Sequence, residues 1–139
     1  MTEATATPAL RLWLRRALAL AYLAGVFWLG TIDMGPLPLD DRLPTDKLGH
    51  IGAFGGMVVV VELALLEFGA SRRRGWAFLA SVGTGGLLEL VQGALPHRSA
   101  DLGDWVADCI GAVLAVGLSL AAARVFSTRP SPGGAAPGV

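Results

Sequence analysis

The sequence is poor in charge. Only 16% of its 139 residues are Asp, Glu, Lys or Arg, while 53% are hydrophobic. About a quarter of the residues are charged in an ordinary soluble domain. A domain this small leaves about a third of its surface in water, and this chain has too few charges to cover that area. The composition disfavours a soluble domain, a disordered chain and a secreted disulfide scaffold, and favours a small integral membrane protein with one domain.

The chain also has little cysteine and no excess of charge of either sign. Cys109 is the single cysteine and lies in an apolar run, so we expect a buried small hydrophobe and no internal disulfide. The 11 basic residues balance 11 acidic ones, which gives no polyanion-binding surface. A glycine-rich phosphate loop, a nucleophile elbow, a haem motif and a nucleic-acid module are all missing. We therefore expect no cofactor and no nucleic-acid partner.

Four apolar stretches each approach the roughly 20 residues that a helix needs to cross a bilayer. They run over Leu12–Ile32, Leu48–Phe68, Trp76–Leu95 and Trp105–Phe126. Because a lone strand cannot satisfy its backbone in lipid, they predict an all-α domain over 1–126, a bundle of four transmembrane helices. Residues 127–139 are predicted to be a disordered tail. A cleaved signal peptide over the first stretch is the alternative, although that stretch lacks a small-x-small cleavage site.

Basic residues set the predicted orientation. With four spans, the N-terminus, a connecting loop at 69–75 and the C-terminus share one side, which holds eight of the 11 basic residues. The positive-inside rule places this side in the cytoplasm. The proline-rich segment 33–46 and the turn 96–104 then face outward. On the inner side, Glu62 and Glu67 are predicted to be interfacial or bundle-facing, and Glu67 is positioned to pair with the arginines at 72–74.

Polar side chains recur at the outer ends of three predicted helices. Charges inside spans are costly and therefore mark candidate functional sites. Lys47 and His50 lie three residues apart on the second helix and so share a face, as do Glu89 and Gln92 on the third. Three aspartates at the start of the fourth helix fall within about 60° of one another at about 100° per residue. The sequence thus predicts one polar pocket, open to the outside, formed by Asp46, Lys47, His50, Glu89, Gln92, Arg98, Asp101, Asp104 and Asp108.

The predicted pocket suits a polar headgroup at the outer leaflet, such as that of a lipid-linked envelope precursor. Lys47 and Arg98 are candidate anion contacts because basic groups bind phosphate. His50 and Glu89 are candidates for proton transfer, and the aspartates at 101, 104 and 108 are predicted to orient them.

Two other interpretations of the pocket stay open. His50 and the carboxylates could hold a divalent cation, although the chain has no metal-ligand spacing motif and we predict no metal. The cluster could instead be architectural, with Asp46 and either Asp101 or Asp104 as helix caps and Gln92 joining helices. Small residues at Gly111 and Ala115 suit close helix packing in a compact bundle, with dimerisation as the alternative; the oligomeric state stays open.

Three elements of the sequence resemble the VanZ-like family, in order and at matching helix ends. The first is Asp46-Lys47-Leu48-Gly49-His50 with Phe54 four residues on, and the second is Glu89-x-x-Gln92. The third begins at Arg98 and is completed by Asp101, Asp104, Asp108 and Gly111. The match covers about Asp46–Gly117, and it departs from the family at Asp108, where many members carry Asn.

The resemblance implies a small multi-pass protein of the bacterial inner membrane. The founding member of the family is associated with resistance to teicoplanin, a lipoglycopeptide antibiotic. A resistance role for this chain would follow by analogy alone, and the resemblance does not decide whether the chain is an enzyme.

Overall fold

The computed structural model describes residues 7–33 and 45–127, and all regular structure in these ranges is helical. The helices are α1 (Pro8–Thr31), α2 (Thr45–Ala64), α3 (Ala70–Gly93) and α4 (Leu102–Ser127). The predicted all-α fold is confirmed. Most of the proline-rich segment 33–46 lies outside the described residues, as does the predicted tail apart from Ser127, which ends α4.

All four helices begin earlier than their apolar stretches predict, α1 and α3 by the largest margins. α1 begins at Pro8, where the side chain of Thr7 accepts a hydrogen bond from the backbone N–H of Leu10 and proline needs no N–H partner. α3 begins at Ala70, so the prediction that 69–75 form a loop was wrong, and the loop is shorter. Arginine is a good helix former, and the basic run continues the helix instead of interrupting it.

Three of the helices, α1, α2 and α4, are long and apolar enough to cross a bilayer, which indicates a membrane protein. α3 has 24 residues, about 36 Å at 1.5 Å per residue. It is long enough to span, but three arginines and five glycines make it less apolar than the others. The fourth span is therefore still a prediction.

α2 is the central helix. It packs most extensively on α4 and also contacts α1 and α3, whereas among the described helices α1 and α4 do not touch. Side-chain contacts show that successive helices alternate in direction, because Arg16 early in α1 reaches Glu67 beyond the end of α2, and Lys47 at the start of α2 reaches Asp101 at the start of α4.

The buried core is small. Phe54 and Met57 of α2 pack on Leu88 of α3, and Val58 of α2 packs on Ala77 and Ala112. α1 has no fully buried residue. Its partly buried side chains, including Tyr22, cover the contact of Phe54 and Met57 with Leu88 from one side. Cys109, expected to be buried, is partly exposed.

Two glycines let the backbones of α2 and α4 touch. A Cβ atom built on Gly55 would lie 3.1 Å from the carbonyl oxygen of Gly111, and one built on Gly111 would lie 3.0 Å from the backbone nitrogen of Gly55. A side chain at either position would meet backbone, which cannot turn aside. This contact fixes the separation of the two helices, as small residues commonly do between membrane helices.

Gly111→Ala is expected to destabilise the protein by about 1–3 kcal/mol, the usual cost of overpacking, although alanine favours helix. Gly117→Ala on the same helix is the matched control, because a Cβ there meets nothing within 4 Å. Unfolding of the purified protein in detergent, followed by circular dichroism, measures both. Equal stability of the two variants would contradict the proposed backbone contact.

Candidate functional site

The first turns of α4 present three aspartates toward α2 and α3. Asp101 precedes the helix, and its Oδ1 accepts a hydrogen bond of 2.7 Å from the backbone N–H of Gly103, which satisfies one free N–H at the helix start. Asp104 and Asp108 follow three and seven residues later, at helical spacing. Asp108 is completely buried, with 0% of its surface exposed. The row of carboxylates thus runs from the end of the helix into the core.

Lys47 of α2 neutralises the outer two of these carboxylates. Its Nζ lies 2.7 Å from Asp101 Oδ2 and also contacts Asp104 Oδ1. A Cβ at Gly103 would lie 3.1 Å from the same Nζ, so glycine leaves room for the ammonium group beside the first turn of α4. The two ion pairs link the starts of α2 and α4.

His50 lies one turn further along α2 and bridges the inner two carboxylates, those of Asp104 and Asp108. Its Nδ1 is 2.8 Å from Asp108 Oδ1, a hydrogen-bonding distance, and its Nε2 is 3.7 Å from Asp104 Oδ2. The ring of Phe54 is parallel to the imidazole, with centroids 6.3 Å apart. The imidazole is therefore oriented at both nitrogens and supported on one face.

Glu89 connects α3 to the same row. Its Oε2 accepts a 2.7 Å hydrogen bond from the backbone N–H of Asp101, while its Oε1 is buried without a hydrogen-bond partner in the described structure. One turn earlier, Gly85 leaves space for Asp108, because a Cβ there would lie 3.1 Å from the Cβ of Asp108. Gly85 is not among the predicted site residues, because its role depends on a partner 23 residues away in the chain.

Six of the predicted site residues are thus joined by contacts, and we call them the carboxylate cluster. They come from α2, α3 and the start of α4, and three of the six are the aspartates at that start. The cluster consists of Lys47, His50, Glu89, Asp101, Asp104 and Asp108. Its four carboxylates face one lysine and one histidine, so it carries an excess of hydrogen-bond acceptors.

Gln92 and Arg98 are placed elsewhere. Gln92 Nε2 donates a 2.8 Å hydrogen bond to the carbonyl oxygen of Gly30, and Arg98 Nη2 donates a 3.0 Å bond to that of Ile32. His97 Nε2 lies 3.0 Å from the carbonyl oxygen of Thr31. These three side chains satisfy backbone carbonyls at the end of α1, which a helix leaves free. Anion binding by Lys47 and Arg98 stays a prediction.

Asp46 is exposed and is the first acidic residue of α2. Together with His50 and Asp104 it forms the one described group that could hold a metal ion, with one ligand atom from each residue within 4.8 Å of the others. A carboxylate–imidazole set suits a divalent cation. Lys47 already contacts Asp104, so a metal ion would have to compete with its ammonium group.

Of the two inner acidic residues, Glu67 has a partner different from the one that the sequence suggested, and Glu62 lies as predicted. Glu67 pairs with Arg16 of α1, whereas the sequence suggested the arginines at 72–74. This ion pair and the residue's own backbone N–H lower the pKa of Glu67, the backbone contact more strongly. Glu62 accepts a 3.0 Å hydrogen bond from the hydroxyl of Ser119 on α4 and so faces its neighbours, as predicted.

Comparisons with protein-family models, curated proteins and solved structures gave no match. Interpretation of the site therefore depends on its own geometry.

The stability of the folded protein should depend on pH through Asp101, and the partners of this carboxyl set the sign of the dependence. Hydrogen bonds from Lys47 and then from the N–H of Gly103 lower the pKa of this carboxyl below its ordinary value. The folded state therefore binds the proton less readily than the unfolded state, and the stabilisation is present above an ordinary pKa of about 3.9 and lost at lower pH. The unfolding midpoint of Asp101→Asn should lie below that of wild type at pH 6, and the difference should shrink as the pH falls below about 3.9.

The Lys47→Gln background provides the control for this comparison. Asn at 101 can still cap α4, so the substitution removes mainly the charge. In the Lys47→Gln protein, Asp101→Asn should have a smaller, less pH-dependent effect. The same pH dependence in both backgrounds would show that Lys47 is not the partner.

The histidine tautomer is a second measurable property of the site. The chain has two histidines, so ¹⁵N labelling of histidine gives two sets of ring signals, and His97→Ala assigns them. A proton on His50 Nδ1 is expected at neutral pH, because this nitrogen faces the buried Asp108 carboxylate. A neutral ring protonated only at Nε2 would contradict the geometry.

Proposed function

We propose that the chain is a VanZ-like protein of the bacterial inner membrane that binds or processes the polar headgroup of an envelope lipid or lipid-linked precursor. In this proposal α3 is the fourth span, the termini are cytoplasmic, and the carboxylate cluster faces outward. The excess of arginines at the other end of the helices supports that orientation. A link to glycopeptide resistance follows from the family resemblance.

The pairing of His50 with Asp108 is the observation that carries the proposal. A fully buried carboxylate that accepts the Nδ1 proton of a partly exposed histidine leaves Nε2 able to accept a proton. This is the arrangement of a general base and its orienting acid in many hydrolases and transferases. Asp104, 3.7 Å from Nε2, is placed to hold a donor group beside it. A hydroxyl of the headgroup would give its proton to His50 at this point.

The charge of the cluster narrows the class of headgroup. Four carboxylates outnumber Lys47, whose ammonium group is already paired with Asp101 and Asp104. Such a site selects groups that donate hydrogen bonds, such as sugar hydroxyls or an ammonium group, because unpaired buried acceptors are costly. A phosphate would first have to displace a carboxylate from Lys47.

A purely structural role is the second candidate, and the side-chain bonds between helices favour it. Ser81 of α3 is fully buried and donates a 2.8 Å hydrogen bond to the carbonyl of Phe54, and Tyr22 of α1 donates one of 2.9 Å to that of Ala53. Trp105 of α4 likewise donates to Val82 of α3. Polar groups that join membrane helices contribute about 0.6 kcal/mol each, and the carboxylate cluster could be a larger example.

His50→Ala is the decisive substitution, and His97→Ala is its matched control at the same end of the molecule. Proteins purified in mild detergent from bacterial membranes would be compared by mass spectrometry of the bound lipids. We expect His50→Ala to retain about tenfold less of a hydroxyl- or amine-bearing lipid, the equivalent of one charged hydrogen bond. His97→Ala should retain the wild-type amount.

Thermal unfolding of the same proteins after removal of the bound lipid separates the two candidate functions, because a bound lipid would itself stabilise the folded state. Loss of the lipid by His50→Ala with an unchanged midpoint of the lipid-free protein supports a binding site. A lower midpoint with unchanged lipid content would favour the structural role and overturn the proposed function.

A further inference from the structure

A cavity of about 560 Å³ lies between α2 and α4 and extends along them, away from the carboxylate cluster, toward the other end of the helices. We call it the α2–α4 groove. It passes the contact of Gly55 with Gly111 and follows α2 from Ile51 to Leu63, about 18 Å of helix, and reaches Leu66 just beyond the helix. One leaflet of a bilayer has about 15 Å of hydrocarbon, so the groove is long enough for one acyl chain. Most of its lining is apolar, with Val58, Leu63, Leu114, Ala115 and Leu118 among the residues.

The groove ends in a polar group of side chains from three helices. Ser119 donates a 3.0 Å hydrogen bond to Glu62 Oε2 and accepts one of 3.1 Å from Arg74 Nε. Arg73 Nε lies 3.6 Å from the same Glu62 oxygen and is buried without a hydrogen-bond partner. Within the part of the chain that the structure describes, the side chain of Arg73 makes no hydrogen bond, and its ion pair is the long contact with Glu62. Its guanidinium group therefore lines the groove with donors available to a ligand.

Positive charge at this end exceeds negative charge by a wide margin. Glu62 and Glu67 are the acidic residues here in the described ranges. The basic residues are Arg11, Arg15, Arg16, Arg72, Arg73, Arg74 and Arg124. The N-terminus of α3 adds to this excess, since Gly69 provides no side-chain cap and the first turn has no acidic residue. Arginines are unfavourable at the positive end of a helix dipole, and an anion would offset both contributions.

We propose that the α2–α4 groove binds an anionic phospholipid, with one acyl chain along the groove and the phosphate at Arg73 beside the start of α3. Anionic lipids are attracted to basic residues at a membrane surface by about 1 kcal/mol per residue. A second copy of this chain would bring another arginine-rich end to the same place, and the like charges disfavour it. The site is separate from the headgroup function proposed above and does not depend on it.

The test uses the full chain in detergent micelles and two lipid probes, phosphatidylglycerol and phosphatidylcholine. Phosphatidylglycerol should raise the unfolding midpoint, because a ligand that binds the folded state stabilises it. Phosphatidylcholine at the same mole fraction should have little effect. Inorganic phosphate is the third probe; if it matched phosphatidylglycerol, the proposal of a lipid site would be overturned.

Two substitutions with matched controls locate the site. Arg73→Gln should weaken phosphatidylglycerol binding about fivefold, and Arg72→Gln, on the exposed neighbour that does not line the groove, should weaken it less. Ala122→Trp fills the groove, since Ala122 lines it, whereas Ala121→Trp places the same bulk on an exposed residue that is not part of the lining. Ala122→Trp should reduce binding while Ala121→Trp preserves it.

Native mass spectrometry counts the bound lipids and does not depend on protein stability. Equal binding by Ala122→Trp and Ala121→Trp would show that the groove is not the site. Equal binding of both lipids by the wild-type chain would also overturn the proposal. Loss of phosphatidylglycerol binding by Ala122→Trp with His50-dependent lipid retained would separate this site from the carboxylate cluster.

Discussion

Attraction between the charged side chains of α2 and α4 is the interaction on which the rest of the molecule depends. Burying an unpaired charge costs several kcal/mol, so the aspartates of α4 need Lys47 and His50 close by. The backbones approach closely enough because Gly55 and Gly111 carry no side chain. Charge pairing sets the register of the two helices along their length, and the glycine contact sets their separation. α3 completes this pair by offering Glu89 to the backbone of Asp101.

Helical spacing predicted the part of the site that lies along single helices. Lys47 and His50 face the same way, and the three aspartates share a face, because residues three, four and seven apart must do so in any α-helix. The placement of Arg98 could not be predicted in this way. It lies in a connection, and its partner is a free carbonyl at the end of α1, which no pattern of side chains reveals. Spacing along the chain also misleads for Glu67. It predicts a pair with the nearby arginines, whereas Glu67 pairs with Arg16, 51 residues away.

The two ends of the helices differ in chemistry. One end has carboxylates in excess around a lysine and a histidine, and the other has arginines in excess around Glu62 and Glu67. α1 contributes little to the first of these ends except backbone carbonyls, those of Gly30, Thr31 and Ile32, which accept bonds from side chains of α3 and the connection that follows it. The carboxylate cluster is therefore a property of α2, α3 and α4, and α1 covers them from one side.

The order of the helices in the chain has a consequence for biosynthesis. Lys47 and His50 leave the ribosome well before their partners, since Asp104 follows Lys47 by 57 residues and Asp108 follows His50 by 58. At about 5–20 residues per second, α2 exists for several seconds as a nascent helix whose cation and imidazole lack their carboxylates. The ion pairs that join α2 to α4 therefore form late, once α4 has been made, although α2 is the central helix of the fold.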